Sequence, residues 1–198
     1  HRFCSKFLYE QGLLAAECAV IDENDAVSIL ARYLGEDEQM VATNGNRKRD
    51  YTTIINLSHF MHQMAMKHPR HIRMHADCLN SEDITALRNM LSMMGKEFSA
   101  DQMMEVYNNA LTYEDAMAVS NLNLADAHII SNMLKKMKFA HAYEAYKEQN
   151  NLVDFEDLLL KAYDALSQSD EYHKYSWMQV DEVQDLNRLQ LAIIDALW

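Results

Sequence analysis

A chain of 198 residues with one proline, Pro69, and four isolated glycines, Gly12, Gly35, Gly45 and Gly95, has very little with which to interrupt a helix. Proline removes an amide donor and crowds the preceding turn, and glycine costs backbone entropy, so their scarcity leaves helix interiors intact. A sandwich or barrel would need such residues at turn after turn. The 14 methionines, with many Leu and Ala, push the same way. The expected fold is therefore predominantly α, with a chain long enough for one sizeable core or one core plus a small appendage. No apolar run approaches the roughly 20 residues needed to span a bilayer and no signal peptide opens the chain, so a cytoplasmic protein without membrane association is expected. Cys4, Cys18 and Cys78 form neither a CxxC pair nor an even set, which points to reduced thiols in a core.

Start and stop signals place the helices. The first covers about Arg2 to Gln11, and Asp22 caps a second that runs to Leu34 and stops at Gly35. The charged run Gly45 to Asp50 reads as a polar loop before a third helix from Tyr51 to Lys67, beyond which Pro69 interrupts. Ser81 is expected to cap a helix ending at Gly95, and Ser99 with Gln102 has the spacing of a capping box. Leu124 to about Glu148 is a long amphipathic helix with Ile130, Met133, Leu134, Met137, Ala140 and Tyr143 at core spacing. Asp154 is an N-cap with acids in the turn after it, followed by an apolar stripe of Leu158, Leu159, Ala162, Tyr163 and Leu166.

One short run departs from helical patterning. Trp177-Met178-Gln179-Val180 is apolar, rich in strand formers, and closed by Asp181-Glu182, the pattern of a parallel strand whose carboxyl end carries a metal and catalytic site. Adjacent carboxylates divide labour naturally: one holds a hydrated Mg²⁺ on a nucleotide phosphate while the other accepts a proton from attacking water. The same pair also suits a plain helix cap, because acids favour helix N-termini.

The longer string Asp181-Glu182-Val183-Gln184-Asp185-Leu186-Asn187, with Gln190 three residues on, resembles motif II of the UvrD/Rep-type superfamily 1 DNA helicases, usually DEFQDTN followed by glutamine. It departs at Val183, where an aromatic is usual, and at Leu186, where Thr or Ser is. Asp154-Phe155-Glu156-Asp157-Leu158-Leu159 resembles the DFxDLL helix that this family places shortly before motif II, and His1-Arg2-Phe3-Cys4-Ser5 resembles the latter part of its motif Ia, TFHSFC. The resemblance implies ATP and Mg²⁺ as cofactors and translocation on single-stranded DNA with unwinding of duplex. It makes Asp181 the magnesium carboxylate and Glu182 the catalytic base, gives Gln184 and Asp185 nucleotide-side coupling roles, and puts His1 and Phe3 against DNA. It also divides the chain into residues 1–20 (end of motif Ia and first helix), 21–150 (a helical insertion, subdomain 1B) and 151–198 (part of the first motor domain, with a short parallel α/β remnant near the C-terminus).

Such an enzyme also needs a phosphate-binding GxxxxGK loop ending in Ser or Thr, and the isolated glycines here form none. The expectation is a segment of a larger helicase, inactive alone, with its last part packed on helices, paired with a second copy or poorly ordered. A helicase-nuclease of the RecB or AddA kind carries similar motifs, and a non-catalytic helical interaction module would use Asp181-Glu182 only as a cap; a phosphate loop upstream of His1 separates the motor from the module.

A formal net charge of −12 opposes non-specific nucleic-acid binding by the whole chain. Lys and Arg stand 11 against 13 acids in residues 1–100 and 7 against 17 in 101–198, so most of the excess acid lies in the second half. Residues 41–80 reverse the sign, 6 against 2, through Arg47, Lys48, Arg49, Lys67, Arg70 and Arg73, with His68, His71 and His75 interleaved. That stretch is either a duplex-phosphate surface or an ordinary solvated face. His59 and His62, three apart, and His71 and His75, four apart, share helical faces, but no Cys or carboxylate completes either pair at a recognisable spacing. The neighbouring Met61, Met64, Met66 and Met74 read as core filling.

Overall fold

A computed structural model describes residues 1–66, 78–109, 124–172 and 175–197, together with Glu114 and Ala118. Lys67, His68, Pro69, Arg70, His71, Arg73, Met74 and His75 lie outside the described residues. In chain order the elements are α1 (Arg2–Glu10), β1 (Ala19–Ile21), α2 (Glu23–Tyr33), α3 (Glu38–Thr43), α4 (Gly45–Ala65), α5 (Ser81–Met93), α6 (Ala100–Asn109), α7 (Leu124–Gln149), β2 (Leu152–Asp154), α8 (Phe155–Gln168) and α9 (Arg188–Asp195), with single 3₁₀ turns at Asp170–Tyr172 and Val183–Asp185. The fold is mostly helical with a small parallel sheet, as the composition requires. Among the described residues no helix is long and apolar enough to cross a membrane.

Local chemistry explains most boundaries. Asp22 accepts the amide N–H groups of Asn24 and Asp25, Asp25 answers to the Asp22 amide, and the same reciprocal box recurs at Asp154/Asp157 and Asn187/Gln190. Gly35 and Gly95 adopt φ of +71° and +72°, the left-handed turn that lets a following amide reach back to the last carbonyls of α2 and α5. Three expectations need correction. Gly45 to Asp50 is not a loop but the start of α4, because Asn44 caps the amides of Asn46 and Arg47 and the charged residues after it are good helix formers on a solvated face. Asn80, not Ser81, caps α5. At α6, Ser99 Oγ accepts the Gln102 amide at 3.3 Å, but Gln102 Oε1 is buried without a partner, so that box is half made.

The sheet decides the architecture. β1 and β2 pair in parallel, Ala19 with Leu152 and Ile21 with Asp154, although the helices α2 to α7 of the described residues stand between them in the chain. The chain leaves this pair at Ile21, builds α2 to α7, and returns beside its point of departure. Two apolar clusters follow. The first holds the inward faces of α2 to α7, including Leu30, Leu57, Leu87, Met90, Met133 and Met137; the second holds Cys4 and Leu8 of α1, Val153, the α8 stripe, and Leu189, Ala192 and Ile193 of α9. Cys4 and Cys78 are buried, and none of the three cysteines is in a disulfide.

Candidate functional site

The expected strand Trp177 to Val180 does not form: these residues are irregular, and Trp177 is largely exposed. A parallel strand needs neighbours to take its backbone groups, and the chain's parallel pair is made by β1 and β2 instead. Asp181 and Glu182 consequently stand on an exposed turn. Asp181 Oδ1 accepts the Glu182 amide at 3.0 Å, and Gln184 Nε2 donates to the Glu182 carboxylate. Glu182 holds φ 51° and ψ 42°, a left-handed conformation that a residue with a Cβ adopts at a cost of about 1 kcal/mol. Asp185 donates its amide to the Glu182 carbonyl at 2.9 Å, closing the 3₁₀ turn, while Asn187 and Gln190 cap α9, whose apolar face docks on the second cluster. The turn thus brings Asp181, Glu182, Gln184 and Asp185 together. Two adjacent, solvent-accessible carboxylates offer hard oxygen donors that fit a Mg²⁺ ion keeping most of its waters, which binds through one or two carboxylates and not a closed cage.

The other expected residues lie elsewhere. The His1 ring packs against Phe155 with centroids 4.8 Å apart, and exposed Phe3 stacks on Phe7 at 6.1 Å, beside a cavity of about 260 Å³ lined by Lys6, Tyr172, Tyr175 and Leu197. Phe155, 44% exposed at the first position of α8, is an aromatic that sequence reasoning passed over as part of a helix start. Arg47 pairs with Glu36 at 3.2 Å and Lys48 donates to Asn24 at 3.1 Å, whereas Arg49 is exposed on α4.

The densest chemistry is buried and was not foreseen as a unit. Asp154 caps α8 through Oδ1, and its Oδ2 receives Tyr143 Oη at 2.8 Å, Lys147 Nζ at 3.0 Å and His59 Nε2 at 2.8 Å. Lys147 also donates to Asp157 at 2.5 Å and pairs with Glu144 at 3.0 Å, and Ser58 donates to Glu144. His62 Nδ1 stands 4.0 Å from Asp157 Oδ1, a buried oxygen without a hydrogen-bond partner. Carboxylates reach both His59 and His62, but from distant parts of the chain and not at a ligand spacing that the sequence would mark. Lys147 Nζ donates hydrogen bonds to Asp154 and Asp157 and pairs with Glu144, so these carboxylates already have a cation beside them. One signal for this existed: Lys147 falls four residues after Tyr143, in phase with the apolar stripe of α7, and it is 2% exposed.

Burial alone would push the His59 imidazole down, but the hydrogen bond and charge of Asp154 outweigh it and hold His59 above its ordinary 6.5. Burial of Asp154 is likewise overcome by His59 and Lys147, which hold that carboxyl well below the usual range. Asp157 goes the other way, raised by burial and by neighbouring Asp154 and Glu144 against the pull of Lys147, and burial lowers His62. Raised His59 contributes stability in full below 6.5 and loses it as pH climbs through its folded value; lowered His62 costs stability below 6.5 and none well above it. Unfolding in urea is expected to show stability falling as pH rises above 6.5, with His59→Gln removing that decline. An unchanged decline in the variant would assign it to another group.

No curated protein and no solved structure matches the chain. A family model does, and it runs through both apolar clusters, the stem of paired strands between them and the exposed acidic turn. Since the match extends over residues 1–198, the chain belongs to the family described as the UvrD/REP helicase N-terminal domain.

Proposed function

We propose that this chain is the helical insertion and adjoining motor segment of an ATP-dependent DNA helicase that moves along single-stranded DNA and separates duplex. The family match over residues 1–198 carries the reading. Residues 1–20 and 151–198 belong to the motor, and 21–150 to the insertion. The return of the chain to β2 beside β1 is what an inserted body requires. ATP with Mg²⁺ supplies the phosphoryl chemistry when bound. Asp181 holds the hydrated ion, Glu182 accepts the proton of the attacking water, and Gln184, bonded to Glu182, orients that carboxylate. His1 and Phe3, with Phe155 beside His1, face the single strand, since exposed rings stack on bases of any sequence.

The full-length protein is expected to hydrolyse ATP faster when single-stranded DNA is added; hydrolysis indifferent to DNA overturns the reading. Changing Arg47, Lys48 and Arg49 to Ala tests the duplex surface. For every phosphate that the variant no longer neutralises, the slope of log affinity against log salt is expected to shrink by about one. Arg47 and Lys48 must exchange Glu36 and Asn24 for phosphate, so Arg49 gives the largest single effect. An unaltered slope in the triple variant removes these residues from the DNA surface.

A further inference from the structure

The chain passes between the two apolar clusters at the paired strands β1 and β2 and again at the end of α4, where Met66 belongs to the second cluster and Met61 to the first. Next to the apolar contact that Met66, at the end of α4, makes with the second cluster, the bodies share a buried charged contact: His59 of α4 with Tyr143 and Lys147 of α7 meets Asp154 and Asp157 at the start of α8. We propose that this cluster is a rigid joint that fixes the helical body on the start of α8, so that load on the helical body passes to α8 and the second cluster without slippage. The inference rests on the helicase reading, which supplies the load.

The physical reason is directional. Apolar side chains slide past one another at small cost, and packed helices shear in that way. Lys147 donates hydrogen bonds to Asp154 and Asp157 across the seam while its charge also pairs with Glu144 of its own helix, and a shift of an ångström leaves buried charges uncompensated in a low-dielectric setting. Buried ion pairs add little net stability over apolar packing, so their use at a seam fits a need for fixed orientation. Asp154 strengthens the case by serving two roles at once: Oδ1 sets the start of α8 while Oδ2 is held by both helices of the other body.

The test uses the full-length enzyme with Lys147→Met and Asp157→Asn combined, which removes one charge of each sign, and separately Tyr143→Phe, which keeps every charge and removes one donor to Asp154. Thermal midpoint, DNA-stimulated ATP hydrolysis and strand separation are measured together. Hydrolysis is expected to stay within about twofold while strand separation falls about tenfold in the double variant, and less but in the same direction in Tyr143→Phe. Should the double variant not fold, Tyr143→Phe decides alone. Strand separation at the wild-type rate overturns the joint, as does a parallel loss of hydrolysis, which makes the cluster a support of the motor's fold. A wild-type enzyme that neither hydrolyses ATP nor separates strands overturns the helicase reading, and the joint with it.

Discussion

Glu182→Gln in the full-length helicase is expected to slow ATP turnover by about 10²–10⁴-fold, the range that a general base contributes, while nucleotide binding persists. Glutamine keeps the size and hydrogen-bonding reach of glutamate but accepts no proton at neutral pH, so it removes the proton transfer and little else. Gln184, the hydrogen-bond partner of the Glu182 side chain, remains able to bond to the amide oxygen, so the local turn should survive. Asp181→Asn is expected to give a contrasting result: as the proposed magnesium carboxylate, its loss would weaken Mg²⁺-nucleotide binding along with turnover. Single-turnover hydrolysis with a fluorescent nucleotide separates the two effects. Retained turnover in Glu182→Gln would reassign the base, and the exposed turn would then serve only to lead into α9.

Lys147→Met is expected to destabilise the fold by about 3–5 kcal/mol, the cost of stripping one partner from a buried ion pair. Methionine is close to lysine in length and fills the same channel, so cavity formation is small and the loss is electrostatic. The removed ammonium contacts Asp157 at 2.5 Å, Asp154 at 3.0 Å and Glu144 at 3.0 Å, all at a site where Lys147 is 2% exposed. For a domain of this size that loss lowers the thermal midpoint by about 6–20 °C. Adding Asp157→Asn restores part of it, because one of the stranded carboxylates becomes a neutral amide. A midpoint shift below about 2 °C for Lys147→Met alone would mean that His59 and water carry the compensation assigned to Lys147.

The helices were legible because their determinants are local. Asp22 and Asp154 announce their caps, Gly35 and Gly95 their ends, and the stripe from Ile130 to Tyr143 its buried face, all within a few residues of the event. The acidic turn was legible as a string, Asp181 to Asn187, without any fold. Where polarity was read as a loop, at Gly45 to Asp50, it marked the solvated start of α4, a distinction that composition over six residues does not carry.

Long-range pairing was decided by the tertiary structure. Nothing local in Ala19–Ile21 or Leu152–Asp154 marks them as partners, and Trp177 to Val180, the more strand-like run, stays irregular, because a strand's stability lies in the neighbour that takes its hydrogen bonds. His59, Tyr143, Lys147 and Asp157 each have an ordinary reading on their own segment; packing α4 and α7 against the start of α8 brings them within 3 Å of shared oxygens. Sequence determined most of the helical segments, though not α3 or the first turns of α4, and which two carboxylates stand adjacent, since helix periodicity, caps and covalent neighbours act over a few residues. The stem, the seam and the burial of Lys147 required the whole fold, since hydrogen bonds and charges separated by about a hundred positions acquire their energies only when folding removes water from between them.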